Sequence, residues 1–579
     1  MKKSTLLVLL FSIFLTGCGS NNNSNDNTSS TPSSQVATST CEITTSLGGS
    51  LEVFYANKSL GVVTNSSSLK LNDLTIGQTI TIKATIDEGY KTAIATLNDS
   101  TIKGTNNYYT VTINKDVNTV KFSFRLIETD SNDFSYLLDN DKKEASIVSY
   151  SPDEIPTPVI IPSTITKNGI TYKVTSILDG AFDNCEATKI TISSSITNIE
   201  YGAFKNAYNL QCFNVDASST SYISKDGVLF SKDSTKLIAF PARYAQTSYT
   251  VPSGVTIIAP YAFYTCRVLK NITFSSTLET IGEYAFYNAK VLKSLSFPSS
   301  LRTIEQYAFY QNAELSTVTI EEGLQEIGSS AFYGLVKLQK IVFPSTLKKI
   351  KDNAFYKCDR LSSITFKEGL EEIETLAFSN LTVITSVEFP SSLKIIGNSA
   401  FSACSALEKV TFKEGLEEIG NSAFALCSSI SALKLPASLK RVGYNPFYAV
   451  LLLDENTFTI SSSNQYFTIQ DGVLYSKDMT KLICYPYGKT NTSYSIPSTV
   501  SEISTQAFRL INSLVELSMP ISVTRIDEGF YGVTSKLHIT YGGTQAQFDS
   551  IDKTGSNGYT WNEDAYYLTI TYSDSTSSL

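Results

Sequence analysis

Histidine and tryptophan each occur once in this 579-residue chain, and methionine three times. A lone imidazole, His538, leaves a zinc site without its usual ligands, and no C-x-x-C pair supplies substitutes. The sequence also lacks a G-x-S-x-G elbow, a P-loop and a G-x-G-x-x-G turn, so neither a nucleophile nor a nucleotide cradle is signalled. Basic excess is missing as well. The net charge of −8 excludes the electrostatic footprint of a nucleic-acid binder. After the first fifteen residues no apolar run approaches the roughly 18 residues a spanning helix needs. These absences point away from an enzyme, a metal centre, a cofactor site and a membrane-spanning protein.

What the chain has in abundance is tyrosine (33) and phenylalanine (31). Phe recurs at 263, 286, 309, 332, 355, 378, 401, 424 and 447, every step 23 residues. A period of this length marks a solenoid whose units bury their apolar faces only against neighbours. In the unit around Phe355 the apolar positions are Leu347, Ile350, Phe355, Cys358, Leu361, Ile364 and Phe366. Leu361-x-x-Ile364-x-Phe366 predicts a short strand with alternate side chains inward. Leu347 and Ile350 form a second inward pair, and Asn353-Ala354-Phe355 reads as a short helical or 3₁₀ turn. The rings should then stack in a continuous ladder.

Taken in order, the chain opens with Met1-Lys2-Lys3 and an apolar stretch, Leu6 to Leu15. Leu15-Thr16-Gly17-Cys18 follows and resembles the bacterial lipobox, which implies cleavage before Cys18 and a lipid on its thiol. Residues 1–18 are therefore read as a lipoprotein signal peptide. The polar stretch 19–40 cannot bury enough surface to order itself and reads as a tether. Residues 41–127 hold short β-branched, aromatic segments divided by Gly and Asn turns, the pattern of a small all-β domain. Its GQTITIKATIDEGYK stretch resembles the internalin-type β-repeat of bacterial surface proteins. The solenoid is expected over 128–535, and residues 536–579 form a cap and tail. Two longer gaps between repeat phenylalanines each hold one insertion, GVLFSKDSTKLIAFP and GVLYSKDMTKLICYP, 245 residues apart. They read as hairpins near 216–250 and 461–495 within one enlarged rung.

Charge follows the period too. Glu279, Arg302, Gln325, Lys348, Glu371, Lys394, Glu417 and Lys440 stand seven residues before successive phenylalanines. Neighbouring rungs thus meet with mostly opposite signs, which favours one register over others. Paired carboxylates such as Glu371-Glu372 belong to this pattern rather than to acid–base chemistry. Of nine cysteines, Cys185, Cys266, Cys358, Cys404 and Cys427 fall three residues after the repeat Phe, a core column where Cys acts as a small hydrophobe. Cys404 and Cys427, on adjacent rungs, are within disulfide reach, although free thiols fit the column better. The binding candidates are aromatic. Tyr261, Tyr284 and Tyr307 precede the Ala-Phe pair, and Tyr264, Tyr287, Tyr310, Tyr333 and Tyr356 follow it. Projected outward they make a stripe suited to proteins or sugar faces; otherwise they pack over one another. A polar strand face (Thr273, Ser296, Thr319, Thr365, Thr411) is the blander alternative.

The recurring L-x-x-I-x-F-P-x-x-L-x-x-I-G-x-x-A-F-x-x-C resembles the treponemal, BspA-like leucine-rich repeat, with Pro446 and Gly529 replacing its Ala. The resemblance implies a mainly β leucine-rich-repeat solenoid, a right-handed β/α superhelix with short helical or 3₁₀ turns. It also implies a bacterial cell-surface lipoprotein, held on the outer membrane in a diderm cell, that binds host or matrix proteins or other microbial surfaces as an adhesin. Glycan capture for nutrient uptake and a structural surface-layer role are the alternatives.

Overall fold

The computed structural model describes residues 38–574, apart from 47–48, 57, 65–66, 88–89, 99, 105–106, 116, 130–132, 152–157, 510, 512, 531–532, 534–535 and 554–567. The expected signal peptide and Cys18 lie outside the described residues, as does most of the stretch read as a tether. A strand, Thr38–Thr45, already begins inside that stretch. The chain divides into two compact units, residues 1–125 and 126–579.

In the first unit the period-two pattern of Gly49–Tyr55 and Thr79–Ile86 puts alternate residues inside. These strands pair antiparallel, flanked by Lys58–Thr64 and Tyr108–Thr112. Thr38–Thr45 pairs antiparallel with Ser68–Thr75. Ile43, Leu51, Val53, Ile80, Ile82, Val111 and Phe122 share one buried core.

In the second unit each rung contributes two short strands and a turn. The Leu-x-x-Ile segments stack in parallel, for example Glu326-Ile327 on Lys349-Ile350 on Glu372-Ile373. They continue one twelve-stranded sheet from Tyr222–Lys225 to Arg441–Val442. The Leu-x-x-Ile-x-Phe segments stack on another side in shorter parallel sheets, such as Lys340–Val342 on Ser363–Thr365. Between them lie Leu347, Ile350, Phe355, Cys358 and Leu361, all at 0% exposure, and Phe366 at 9%, while Ile364 is half-buried. Burial of that much apolar surface per rung, repeated from rung to rung, is the main force holding the stack.

The Ala-Phe turn is not a helix. Alternate amides point in different directions. Asn353, Phe355 and Lys357 donate to the Thr375, Ala377 and Ser379 carbonyls of the next rung, at 2.9, 2.8 and 3.2 Å. Ala354, Tyr356 and Cys358 donate locally to carbonyls three residues back, at 3.2, 3.0 and 3.3 Å. The 3₁₀-type bonds expected there exist, but only at every second residue. The alternation needs left-handed residues on both sides of the Phe, and Asn353 (φ 57°) and Lys357 (φ 58°) provide them.

The rungs also come in two kinds. Turns with Pro (Pro298, Pro344, Pro390, Pro436) alternate with turns containing Gly (Gly323, Gly369, Gly415). Gly369 sits at φ 121°, and a Cβ there would lie 1.9 Å from the Ser345 carbonyl oxygen, so only glycine fits. Its amide donates to Ser392 Oγ at 2.8 Å, and Glu368 accepts from the Ser391 and Ser392 amides, each at 3.1 Å. Gly415 and Glu414 repeat both contacts with Ser438. Over this stretch the repeating unit is therefore two rungs.

Each insertion is a three-stranded antiparallel hairpin set. Tyr222–Lys225, Val228–Ser231 and Lys236–Ala239 head the twelve-stranded sheet, joined to it by parallel pairing with Ile257-Ile258. Phe467–Gln470, Val473–Ser476 and Lys481–Cys484 start a second such sheet through Glu502-Ile503. The C-terminal strands Leu537–Tyr541 and Leu568–Thr571 continue the stacking in parallel. A short helix, Gln545–Asp549, opens with a capping box at Thr544.

Candidate functional site

The turn geometry explains where the tyrosines go. Phe side chains at the centre of the turn point inward and stack at 4.5 to 6.2 Å from Phe263 to Phe447. The residues two before and one after the Phe are carried on the flank, while the Ala before it is buried. There the eight candidate tyrosines form two ladders along the solenoid. Tyr261, Tyr284 and Tyr307 stack at 4.9 and 4.8 Å. Tyr264, Tyr287, Tyr310, Tyr333 and Tyr356 stack at 5.1, 5.1, 4.5 and 5.2 Å. Within a rung the ladders touch, with Tyr261–Tyr264, Tyr284–Tyr287 and Tyr307–Tyr310 centroids 5.4 to 5.6 Å apart. Lys357 Nζ lies 5.5 Å from the Tyr356 ring at one end.

All eight rings are half-buried, so the stripe and the packed flank are the same object: each ring covers its neighbour and stays partly exposed. Burial, then the adjoining tyrosine, pushes the Tyr284 and Tyr310 hydroxyls up to about 12, and those of Tyr261 and Tyr264 also upward. These four phenols therefore stay neutral hydrogen-bonding groups at any physiological pH. Tyr261, Tyr284 and Tyr307 hold φ of 61°, 55° and 55°. At the same turn position other rungs place Asn353, Ser399 and Asn445. A left-handed backbone under a bulky residue costs roughly 1–2 kcal/mol. Three consecutive tyrosines sit at that position nonetheless, and ring stacking of about 0.5–1.5 kcal/mol per pair offsets the strain.

The cysteine column has a bond as well as a volume. Cys358, Cys404 and Cys427 donate from Sγ to the Phe332, Phe378 and Phe401 carbonyls at 3.2, 3.3 and 3.1 Å. Asn312 does the same to Phe286 at 2.8 Å, which accounts for an amide in an apolar column. Cys404 and Cys427 are both free thiols. The charged strip pairs between rungs: Glu371 lies 3.3 Å from Lys348 and 3.0 Å from Lys394, and Lys349 meets Glu372 at 2.6 Å. His538 bridges Glu516 and Thr571, each at 2.7 Å, across the last parallel strands. Thr273, Ser296, Thr319 and Thr365 are exposed, and Thr411 is half-buried.

Sequence reasoning passed over one buried cation, Lys489, in the second insertion. Its signal was available in the comparison of the two insertions, where the same position in the first is Tyr244.

The model of the BspA type leucine rich repeat region matches residues 161–243, 237–361, 325–454 and 480–553, more than half of the chain. The chain belongs to this family. Among solved structures, the BspA-type chain is similar to a leucine-rich repeat protein from Bacteroides ovatus, at 20% identity and a TM-score of 0.42, covering 77% of this chain and 99% of that one. A leucine-rich repeat protein from Eubacterium ventriosum matches at 24% identity and 0.37, covering 51% and 64%. A leucine rich cell surface protein from Faecalibacterium prausnitzii matches at 22% and 0.35, covering 74% and 97%. No curated protein matches the sequence. Among the described residues no helix is long and apolar enough to cross a membrane.

Proposed function

We propose that this BspA-type chain is a non-enzymatic surface module, lipid-anchored through Cys18, whose tyrosine flank binds protein partners outside the cell. The observation that carries the reading is the double tyrosine ladder, stacked at 4.5 to 5.2 Å over up to five rungs. Rings already locked by their neighbours lose little entropy on binding, and each stays partly exposed to a partner. Tyrosine is among the residues that most often dominate interface energetics. The charged strip is already paired within the array, which leaves it less to offer a partner.

The test uses residues that other rungs carry at the same positions. Tyr284→Asn takes the residue of Asn353, and Tyr287→Ser with Tyr310→Ser takes those of Ser379 and Ser402. The full-length triple variant should fold normally. Its affinity for immobilised fibronectin-type matrix proteins should fall at least about thirtyfold, the loss of one or two tyrosine anchors worth about 2 kcal/mol or more. Unchanged binding would remove the flank from the function, and flank-dependent binding to oligosaccharides alone would favour glycan capture.

A further inference from the structure

The two insertions are internal duplicates, so each serves as a reference for the other. In the first, Phe240, Tyr244 and Tyr249 form an aromatic cluster, with Phe240 4.8 Å from Tyr244 and 4.9 Å from Tyr249. Adding 245 to each number gives Tyr485, Lys489 and Tyr494, and Phe230 becomes Tyr475. Phe204 to Phe213 spans nine residues, whereas Phe447 to Phe458 spans eleven, and where Gly227 of the first copy packs against Gln211-Cys212, its counterpart Gly472 packs against Asp454-Glu455. The second copy has thus exchanged a ring for a cation, gained two hydroxyls, and gained an acidic pair.

The structure brings these differences together. Lys489 is 4% exposed, and its ammonium donates to the Asp471 carbonyl at 2.6 Å and to Glu455 Oε2 at 3.3 Å. Burying an ammonium is costly unless it is paired, and its carboxylate partner is Glu455, from an acidic pair that the first copy lacks. The Tyr475 and Tyr494 hydroxyls bond one another. Tyr485 stands edge-on to Tyr494 at 5.1 Å, and its hydroxyl is buried without a hydrogen-bond partner. A cleft of about 430 Å³ opens here, lined by Glu455, Lys489, Asn491, Ser493, Tyr494 and Ser495, with Asp471 beside them. That volume falls in the range of small-molecule sites, roughly 300–1,000 Å³.

We propose that this cleft is a binding site for a neutral polyhydroxylated ligand of one or two sugar rings. Its lining interleaves acceptors (the Glu455 carboxylate) with donors (Lys489, the Asn491 amide) and with serine hydroxyls that serve as either, which suits hydroxyl groups that do the same. Two carboxylates against one ammonium disfavour an anion, and Lys489 beside Glu455 disfavours a cation. The half-buried Tyr494 ring offers the one aromatic surface for a sugar's C–H face. The proposal shares no residue with the tyrosine flank and stands or falls separately from it.

Saturation-transfer NMR on the full-length protein, with glucose, galactose, N-acetylglucosamine, maltose and lactose as probes, tests it. At least one probe should receive transfer. Asn491→Ala/Ser493→Ala, at two exposed positions, should weaken its affinity about tenfold, the size expected for lost hydrogen bonds, without moving the melting temperature. Glu455→Gln/Lys489→Met, which removes both charges together, should abolish it. The flank variant Tyr284→Asn/Tyr287→Ser/Tyr310→Ser should bind like wild type. The proposal is overturned if no neutral sugar receives transfer, or if only N-acetylneuraminic acid or inorganic phosphate binds. It is equally overturned if the affinity is unchanged in Asn491→Ala/Ser493→Ala or is lost in the flank variant.

Discussion

Phe355 lies 5.2 Å from both Phe332 and Phe378, nearly parallel to the latter at 3°, with no exposure to solvent. Removing its ring leaves a cavity that the flanking rings cannot close, because their own backbones are bonded rung to rung. Phe355→Ala should destabilise the solenoid by about 3–5 kcal/mol and lower the cooperativity of its chemical denaturation; an unchanged denaturation curve would contradict this packing. The flank makes a different prediction. Tyr284 and Tyr310 titrate near 12 when folded, against about 10 for a phenol in the unfolded chain. The folded state holds these protons more tightly. The stability they contribute is therefore complete below about pH 10 and is lost as pH rises towards 12. Phenolate absorbance followed through that range should show a fraction of tyrosines ionising late, together with a falling melting temperature, and Tyr284→Phe/Tyr310→Phe should shrink the late fraction.

Between residues and the whole array, the rung is where register is decided. Its inward hydrophobes cannot choose among rungs, since every rung offers the same Leu, Ile and Phe. The outward contacts can, because Gly turns meet Pro turns and acids meet bases. Glu371, between Lys348 and Lys394, is exposed, so its pairs are individually weak. Glu371→Lys places three ammonium groups in a row and should cost up to about 1 kcal/mol in urea denaturation at low salt. The deficit should shrink as salt screens it, and a salt-independent loss would point to packing instead. The alternating charge was legible in the sequence, and so in principle was the Pro/Gly alternation. The alternating amides of the Ala-Phe turn were not, since a three-residue turn and a short helix share the same composition until the next rung supplies acceptors.

At the scale of the molecule, the first insertion heads a long parallel sheet and the second begins another, so the hairpins divide the array's apolar interior into successive clusters. The proposed anchor lies ahead of all of this. In a bacterial host, Cys18→Ala should abolish incorporation of labelled palmitate and move the protein out of the membrane fraction, whereas lipid labelling that persists would refute the anchor. By itself the sequence determined the solenoid, its 23-residue rung, the inward Phe ladder and the place of both hairpins. A period is local information, and each rung repeats which side chains must leave water. Tertiary structure alone decided that the turn is not helical, that buried thiols donate to carbonyls of the preceding rung, that the tyrosines stack while staying half-buried, and that Lys489 is buried against Glu455. Each of these depends on which atom of another rung lies opposite, and only the stacked backbone sets that distance.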